Sequence, residues 1–173
     1  ALAAAGGAQV RPAEWAIPLD VPGVPNLHRI DAHVYRSAQP TAAGMRELEK
    51  LGIRTVLCLR DFHDDVDEAR GTGLRLVRLE LNAWRTDEEE LVQVLRVLVD
   101  QANWPVLVHC QHGADRTGLA SALYRIAVQG WDRERAVDEM TRGGFGFHSL
   151  WKGIPRFVRT VNADRIRRQL GLP

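Results

Sequence analysis

The stretch spanning residues 105–127 constrains the fold of this chain more than any other. Residues 105–108 form a short apolar run rich in valine, which is typical of a buried β-strand. From residue 119 onward, leucine, isoleucine and alanine recur at helical spacing. Between these two segments lies HCQHGADRTG, from His109 to Gly118, which is short enough to be a tight loop. The stretch therefore predicts a strand, a loop and a helix in immediate succession.

The loop places a cysteine and an arginine around one point. Cys110 follows the strand, and five residues separate it from Arg116 at the start of the helix. Loop amides and the positive end of a helix can surround a phosphate dianion, and an arginine adds a bidentate ion pair. In such surroundings a thiol pKa of ~8.5 falls to roughly 3.5–7.5. We therefore expect Cys110 to be a thiolate that attacks phosphorus.

The pattern H-C, five residues, R-T-G is the signature of the cysteine-dependent protein tyrosine phosphatases, and the chain resembles their compact bacterial dual-specificity members. The resemblance implies that Cys110 forms a phosphocysteine, that Arg116 binds the phosphoryl group and that the Thr117 hydroxyl assists the departing thiolate. It implies no cofactor. The expected phosphate-binding residues are Gln111, His112, Gly113, Ala114, Asp115 and Arg116.

The general acid of the family, an aspartate on a loop before the cysteine, has two candidates. Asp87 lies 23 residues before Cys110, but the first turn of a helix also favours an acid at this place. Asp115 lies inside the loop beside Arg116, as in the myotubularin-like lipid phosphatases, where it is a proposed acid. Its alternative role is to bond loop amides or to pair with an arginine. For each aspartate, the catalytic role and the structural role both stay open.

Cys58 lies in a second β run, residues 53–59, which we expect to run parallel to the strand before Cys110. Adjacent parallel strands lie about 4.8 Å apart and a disulfide needs Cα atoms within about 4.4–6.8 Å, so a bridge can form if the register matches. The phosphatase and tensin homologue, of the same superfamily, has a cysteine in a similar setting that oxidises against its catalytic cysteine. By this resemblance Cys58 is a candidate redox partner, with an ordinary buried residue as the alternative.

Two further segments are expected near the pocket. Arg36, in YRSAQP, is expected either to reach substrate or to be a paired strand residue. The run RGGFGFHSLW, residues 142–151, combines glycines with aromatic residues, which suits a second pocket wall or a set of core contacts.

The rest of the chain alternates strands and helices. Strands are expected at residues 27–30, 34–37, 53–59 and 74–81, and helices at 42–51, 89–100, 132–140 and 155–170. Thr41 is expected to cap the first helix, and Thr86 with Glu89 to form a capping box at the next. This alternation predicts a single α/β domain with a mainly parallel central sheet flanked by helices, like the dual-specificity phosphatases. The domain is expected at residues 26–173, after an N-terminal arm or signal-peptide remnant at residues 1–25.

Composition excludes several function classes. The formal net charge is +1 and no basic patch is interleaved with aromatic residues, so we expect no nucleic-acid partner. The six histidines are scattered along the sequence, and a thiolate phosphatase needs no metal. We expect a soluble monomer. The Ala/Gly-rich residues 1–10 resemble the small-residue tail of a cleaved signal peptide, so a periplasmic or secreted location is expected, with a cytoplasmic one as the alternative.

The expected substrate is phosphotyrosine in proteins, with phosphoserine and phosphothreonine as further candidates. Inositol phosphates or phosphoinositides come second, because enzymes for such substrates tend to place lysine or extra arginine within the loop, and this loop has neither. A non-catalytic phosphopeptide-binding module is the alternative from another class. The presence of both Cys110 and Arg116 argues against it.

Overall fold

The structure, a computed structural model, describes residues 10–173 and contains a central sheet of six strands in the order β1-β2-β3-β6-β4-β5. Strands β3, β6, β4 and β5 are parallel, and β1 and β2 extend the sheet as antiparallel strands. The mainly parallel sheet predicted from the sequence is confirmed. The strands are β1 (Ile17–Pro18), β2 (His28–Arg29), β3 (Val34–Ser37), β4 (Thr55–Cys58), β5 (Arg75–Arg78) and β6 (Val106–His109).

Helices cover both faces of the sheet. The core divides between the faces because successive strand residues point to opposite sides: Val56 and Leu107 pack with α1, whereas Leu57 and Val108 pack with the other helices. Helix α3 is buried along nearly its whole length, which explains its weak amphipathic pattern. The helices are α1 (Ala42–Leu51), α2 (Glu88–Val99), α3 (Arg116–Ala127), α4 (Arg133–Arg142), α5 (Gly153–Thr160) and α6 (Ala163–Leu170).

Two helix starts were predicted from the sequence, and one of them is corrected. Thr41 caps α1 as expected, since its hydroxyl accepts a hydrogen bond from the amide of Gly44 at 3.0 Å. The N-cap of α2 is Asp87 and not Thr86. The Asp87 carboxylate accepts hydrogen bonds from the first free amides of the helix, at 2.8 Å from Glu89 and 3.3 Å from residue 90.

The single helix predicted at residues 155–170 is wrong, because the chain breaks there into α5 and α6. Val161 is extended, and the side chain of Asn162 accepts a hydrogen bond from the amide of Arg165 at 2.9 Å. An asparagine cap at this point begins a new helix instead of continuing the old one.

Residues 16–18 of the segment predicted as an arm, residues 1–25, pair and pack with the rest of the fold. Strand β1 pairs with β2, and Ala16 is buried with its amide donating to Glu139 at 2.6 Å. Residues 1–9, on which the signal-peptide prediction depends, lie outside the described residues. Within residues 10–173, none of the helices has the length and apolar character needed to cross a bilayer.

Candidate active site

The shared direction of the parallel strands brings several loops together at one edge of the sheet. Strands β4 and β6 are adjacent and end in register at Cys58 and His109, so the loops that follow them meet. Residues 110–115 form the loop between β6 and α3. Gly113 has φ of +69°, and a Cβ there would lie 2.5 Å from the backbone nitrogen of Ala38. Only glycine fits this turn.

Cys110 lies at the base of this loop and is 2% exposed. Burial alone would raise the pKa of its thiol, but hydrogen bonds from the Thr117 hydroxyl and amide, the charge of Arg116 and the Gly113 amide together lower it below the ordinary value. The Thr117 hydroxyl is buried and has no oxygen or nitrogen partner in the described part of the chain. The sequence-predicted residues Cys110, Arg116 and Thr117 therefore meet around one sulfur, which is set up as a nucleophile.

Arg36 lies beneath the loop and is not among the residues that line the cleft. It is a paired residue of β3, 1% exposed, and donates to the Gly113 carbonyl at 2.9 Å. Its guanidinium lies 3.6 Å from the centre of the Phe145 ring. Burial lowers the pKa of Arg36 to about 10, although Glu139 and Cys110 act to raise it. Arg36 thus supports the loop from behind with a buried positive charge.

A buried ion pair supports the loop at its start. His109 Nε2 lies 2.6 Å from the carboxylate of Asp65, and its Nδ1 lies 3.3 Å from the Cys110 carbonyl oxygen. Burial acts to lower the pKa of His109, but hydrogen bonds with Asp65 and Cys58 outweigh it and raise the pKa. Asp65 also accepts from Gln39 at 2.7 Å. The imidazolium is therefore a fixed structural cation directly before the nucleophile.

The histidines are less scattered in space than in sequence. Ligand atoms of Cys58, Asp65 and His109 lie within 4.8 Å of one another, as do those of His63, Asp65 and Glu68. The 2.6 Å bond between His109 and Asp65 is shorter than the separation of about 3.3 Å between two nitrogen or oxygen ligands of one tetrahedral zinc ion. His109 and Asp65 are thus hydrogen-bonded to each other, whereas His63 Nε2 lies 3.2 Å from Asp65 and 3.4 Å from Glu68 without a hydrogen bond within residues 10–173. Independence from metals stays a prediction.

Cys58 lies on a strand parallel to β6, as expected, but the register does not place it opposite Cys110. Its partner across the ladder is His109, one residue earlier. Successive strand side chains point to opposite faces, so Cys58 shares the side of His109 and lies 3.7 Å from the His63 carbonyl oxygen. Both cysteines are free and buried. A bridge between Cys58 and Cys110 stays a prediction that requires local rearrangement.

A cleft of about 460 Å³ opens above Cys110. Gln111 and His112 form part of its floor, and Ala114 is fully buried behind them. Its walls come from the loop before α2, with Trp84, and from the segment 142–151, with Leu150 and Trp151. The predicted second wall is therefore present.

Aromatic and apolar surfaces form the rim of the cleft. The rings of Trp84 and Trp151 meet edge to face with their centres 4.4 Å apart. Trp84 is 85% exposed and Leu150 is 89% exposed. Phe145, from the same segment as Trp151, instead belongs to the core beneath Arg36. The exposed apolar side chains suit an aromatic substrate.

The structure places the two candidate general acids in different surroundings. Asp87 caps α2 and does not line the cleft. Asp115 does line it, and its partner is a histidine and not the arginine proposed from the sequence: one carboxylate oxygen accepts from the His148 amide at 2.9 Å and the other lies 2.6 Å from His148 Nδ1. No spacing pattern links residues 115 and 148, so this pair could not be predicted from the sequence.

Asp61 is a cleft residue that sequence reasoning missed. Its carboxylate accepts from Arg116 at 2.9 Å, and this hydrogen bond lowers the pKa of Asp61. Asp61 follows β4 in sequence, and β4 adjoins β6. The signal was its place after a strand beside the one that carries Cys110.

With this geometry in view, the similarity to known proteins is informative. Residues 24–147 match the model of the tyrosine phosphatase family. The chain belongs to this family. As a member it is a cysteine-based phosphatase, which confirms the function and the enzyme class predicted from the loop motif. The matched range contains the cleft residues from Asp61 to Arg116, and it ends before His148, Leu150 and Trp151.

Several proteins with known names or structures are similar to this chain. The dual specificity protein phosphatase TpbA of Pseudomonas aeruginosa is 41% identical over 169 residues, which are 96% of this chain and 75% of the relative. The crystal structure of TpbA aligns with a TM-score of 0.83 at 38% identity over 94% of this chain and 99% of that one. The inositol diphosphatase DSP1 of rice is 31% identical over 125 residues, 68% of this chain and 56% of the relative.

Proposed function

We propose that this phosphatase acts on phosphotyrosine in proteins, with phosphoserine and phosphothreonine as further substrates. The observation that carries the proposal is a thiol of lowered pKa at the base of a cleft whose rim is aromatic. An aryl phosphate can place its phosphoryl group at Cys110 while its ring contacts Trp84 and Trp151. In support, a cysteine-to-serine variant of TpbA, 37% identical to this chain, has been crystallised with pTyr.

The reaction has two steps. In the first, the Cys110 sulfur bonds to phosphorus as the bond from phosphorus to the tyrosyl oxygen breaks, and that oxygen takes a proton. In the second, water bonds to phosphorus, gives up a proton and displaces Cys110 as a thiolate, which the Thr117 hydroxyl stabilises. Loop amides and Arg116 bind the phosphoryl oxygens in both steps.

Inositol phosphates are a second candidate because the rice relative is named an inositol diphosphatase. The charge of the cleft argues against them. Among the described residues that line the cleft, Arg116 is the only arginine or lysine, and Asp61 and Asp115 are acidic. A polyphosphorylated ring would bring several negative charges to a site with little positive charge to balance them.

A substrate panel tests the proposal. Wild type and Cys110→Ser are assayed on a phosphotyrosine peptide, a phosphothreonine peptide and an inositol polyphosphate, with phosphate release as the readout. We expect the phosphotyrosine peptide to be hydrolysed fastest by wild type, and Cys110→Ser to bind it without turnover because an alcohol is far less ionised than a thiol. Faster turnover of the inositol polyphosphate would overturn the substrate assignment.

Arg116→Lys belongs in the same panel. A lysine keeps the charge but cannot reproduce the planar pair of hydrogen bonds to phosphoryl oxygens, so we expect almost complete loss of activity. Ordinary rates from this variant would remove Arg116 from the mechanism.

Export and a monomeric state are also proposals. Export rests on the Ala/Gly-rich composition of residues 1–10. Fractionation of cells that make the protein from its native gene tests the first, and size-exclusion chromatography with light scattering tests the second.

A further inference from the structure

Each of the three aspartates at or near the cleft is held by a partner in the structure. Asp87 is the cap of α2. Asp61 is paired with Arg116, which keeps its pKa below the usual range and its carboxylate ionised. Asp115 is 8% exposed, and its two oxygens are directed to the amide and the ring of His148. The first step of the reaction still needs a proton for the leaving oxygen.

His148 is the cleft histidine that one of these aspartates holds in place. It lines the cleft with Cys110 and Arg116, and its side chain is 48% exposed. Nδ1 faces Asp115, so Nε2 is the ring nitrogen left for a substrate. A carboxylate on one nitrogen fixes the orientation and tautomer of an imidazole and directs the other nitrogen to its task, as in other carboxylate–histidine pairs.

The same pair explains why a carboxylate is tolerated inside a phosphate-binding loop. Asp115 directly precedes Arg116 and is close to where a phosphate dianion would lie, so alone it would oppose anion binding. The ring and the amide of His148 both face that carboxylate, at 2.6 Å and 2.9 Å, and direct it away from the phosphate site. The acidic residue then costs little affinity and gains a function.

We propose that His148 is the general acid of this phosphatase, with Asp115 as its positioning residue. The inference rests on the proposed cysteine mechanism and adds the proton donor that the mechanism requires. It assigns the acid to the segment after α4, whereas the family pattern places it on the loop before α2.

The proton balance is closed. As the Cys110 sulfur bonds to phosphorus, the Nε2 proton of His148 passes to the departing tyrosyl oxygen, and a neutral imidazole remains. In the second step Nε2 takes the proton of the attacking water, and the thiolate of Cys110 leaves. The enzyme returns to its starting state, and the net reaction consumes one water and releases an alcohol and inorganic phosphate.

Leaving-group dependence tests the assignment. The values of kcat/KM, which report the first phosphoryl transfer, are measured on 4-nitrophenyl phosphate and on phenyl phosphate. A nitrophenolate leaves without help, whereas phenolate needs the proton. We expect His148→Gln to lose about 10²–10⁴-fold on phenyl phosphate and far less on 4-nitrophenyl phosphate. Glutamine keeps a hydrogen-bond donor but has no proton to transfer.

The matched control is His112→Gln. This second cleft histidine has its ring centre 5.3 Å from that of His148, and its variant keeps the leaving-group dependence of wild type whatever its absolute rate. Asp115→Asn tests the positioning role: its loss on phenyl phosphate is smaller than that of His148→Gln. Added imidazole restores phenyl phosphate turnover to His148→Gly.

Three results would overturn the inference: a leaving-group dependence for His148→Gln equal to that of wild type, a larger selective loss for Asp115→Asn, Asp87→Asn or Asp61→Asn, or failure of imidazole to restore His148→Gly. Cys110→Ser separates the two proposals. If it is inactive on both substrates while His148→Gln behaves like wild type, only the acid assignment falls. If it turns over normally, the cysteine mechanism falls.

Discussion

At the scale of single residues, one loop glycine links the nucleophile to a buried cation. The Gly113 amide faces the Cys110 sulfur, and its carbonyl accepts from Arg36. The attraction is mutual, because a thiolate at Cys110 raises the pKa of Arg36 and the arginine favours the thiolate. The motif from Cys110 to Thr117 was readable in sequence because its members are consecutive. Arg36 was expected near the pocket, but its bond to Gly113 was not readable, since β3 and β6 meet only in the folded sheet.

We predict that Arg36→Met raises the pKa of Cys110. Methionine fills similar space but removes the charge and the bond to the loop. The Cys110 thiolate is present above its pKa and lost below it. The rise of kcat/KM with pH, and the rise of the iodoacetamide alkylation rate with pH, therefore both move to higher pH. Arg29→Met, on the exposed side of β2, is the control with no shift. Equal midpoints for Arg36→Met and wild type would show that the buried cation does not tune the thiol.

At the scale of secondary-structure elements, Asp87, a candidate catalytic acid, is the N-cap of α2. The carboxylate of Asp87 bonds the amides of the first turn of α2, which satisfies backbone donors that no helix can satisfy internally. The sequence permitted either role because both need an acid at the end of a loop. Hydrogen-bond geometry favours the cap.

Asp87→Ala is therefore expected to lower the free energy of unfolding by about 1 kcal/mol, because it removes the N-cap. Urea denaturation measures this loss. Asp87→Ser keeps a capping oxygen and should retain most of the stability, and neither variant should change the leaving-group dependence. A selective loss on phenyl phosphate in both variants would return Asp87 to the catalytic role.

Helices α3 and α4 are joined by a buried ion pair that the sequence did not reveal. Arg125 and Glu139 make two hydrogen bonds of 2.8 Å, and Glu139 also accepts the amide of Ala16. Both side chains are about 5% exposed. This pair ties the N-terminal segment and α4 to the helix that begins at Arg116.

Glu139→Leu is expected to lower the free energy of unfolding by roughly 3–5 kcal/mol, because it leaves the buried Arg125 charge without a carboxylate and with only neutral acceptors such as the Gln129 amide oxygen. The double variant Arg125→Met/Glu139→Leu should lose less than the single one. Arg159→Ala, which breaks an exposed pair with Glu134, is the control with no measurable change in thermal denaturation. A double variant less stable than the single would contradict this account of the pair.

At the scale of the whole molecule, the sheet brings together active-site residues from segments that are far apart in sequence. Alternating strands and helices were enough to predict a parallel α/β sheet, and the loop motif was enough to predict Cys110 and Arg116. A strand was expected at residues 27–30, but strand order and the antiparallel edge were not predictable, because residues 17–18 are too short to show a pattern and no local feature specifies which strands pair. Trp84, Asp61 and His148 come from three separate loops, and only the closed fold brings them to one cleft.

Trapping of the covalent intermediate tests the central claim most directly. Wild-type enzyme is mixed with a phosphotyrosine peptide, quenched in detergent within milliseconds and mapped by peptide mass spectrometry. The account predicts one phosphoryl group on the peptide that contains Cys110, and none when Cys110→Ser is treated in the same way. A phosphoryl group on His112 or His148, or full turnover with no phosphorylated enzyme at any time, would contradict it.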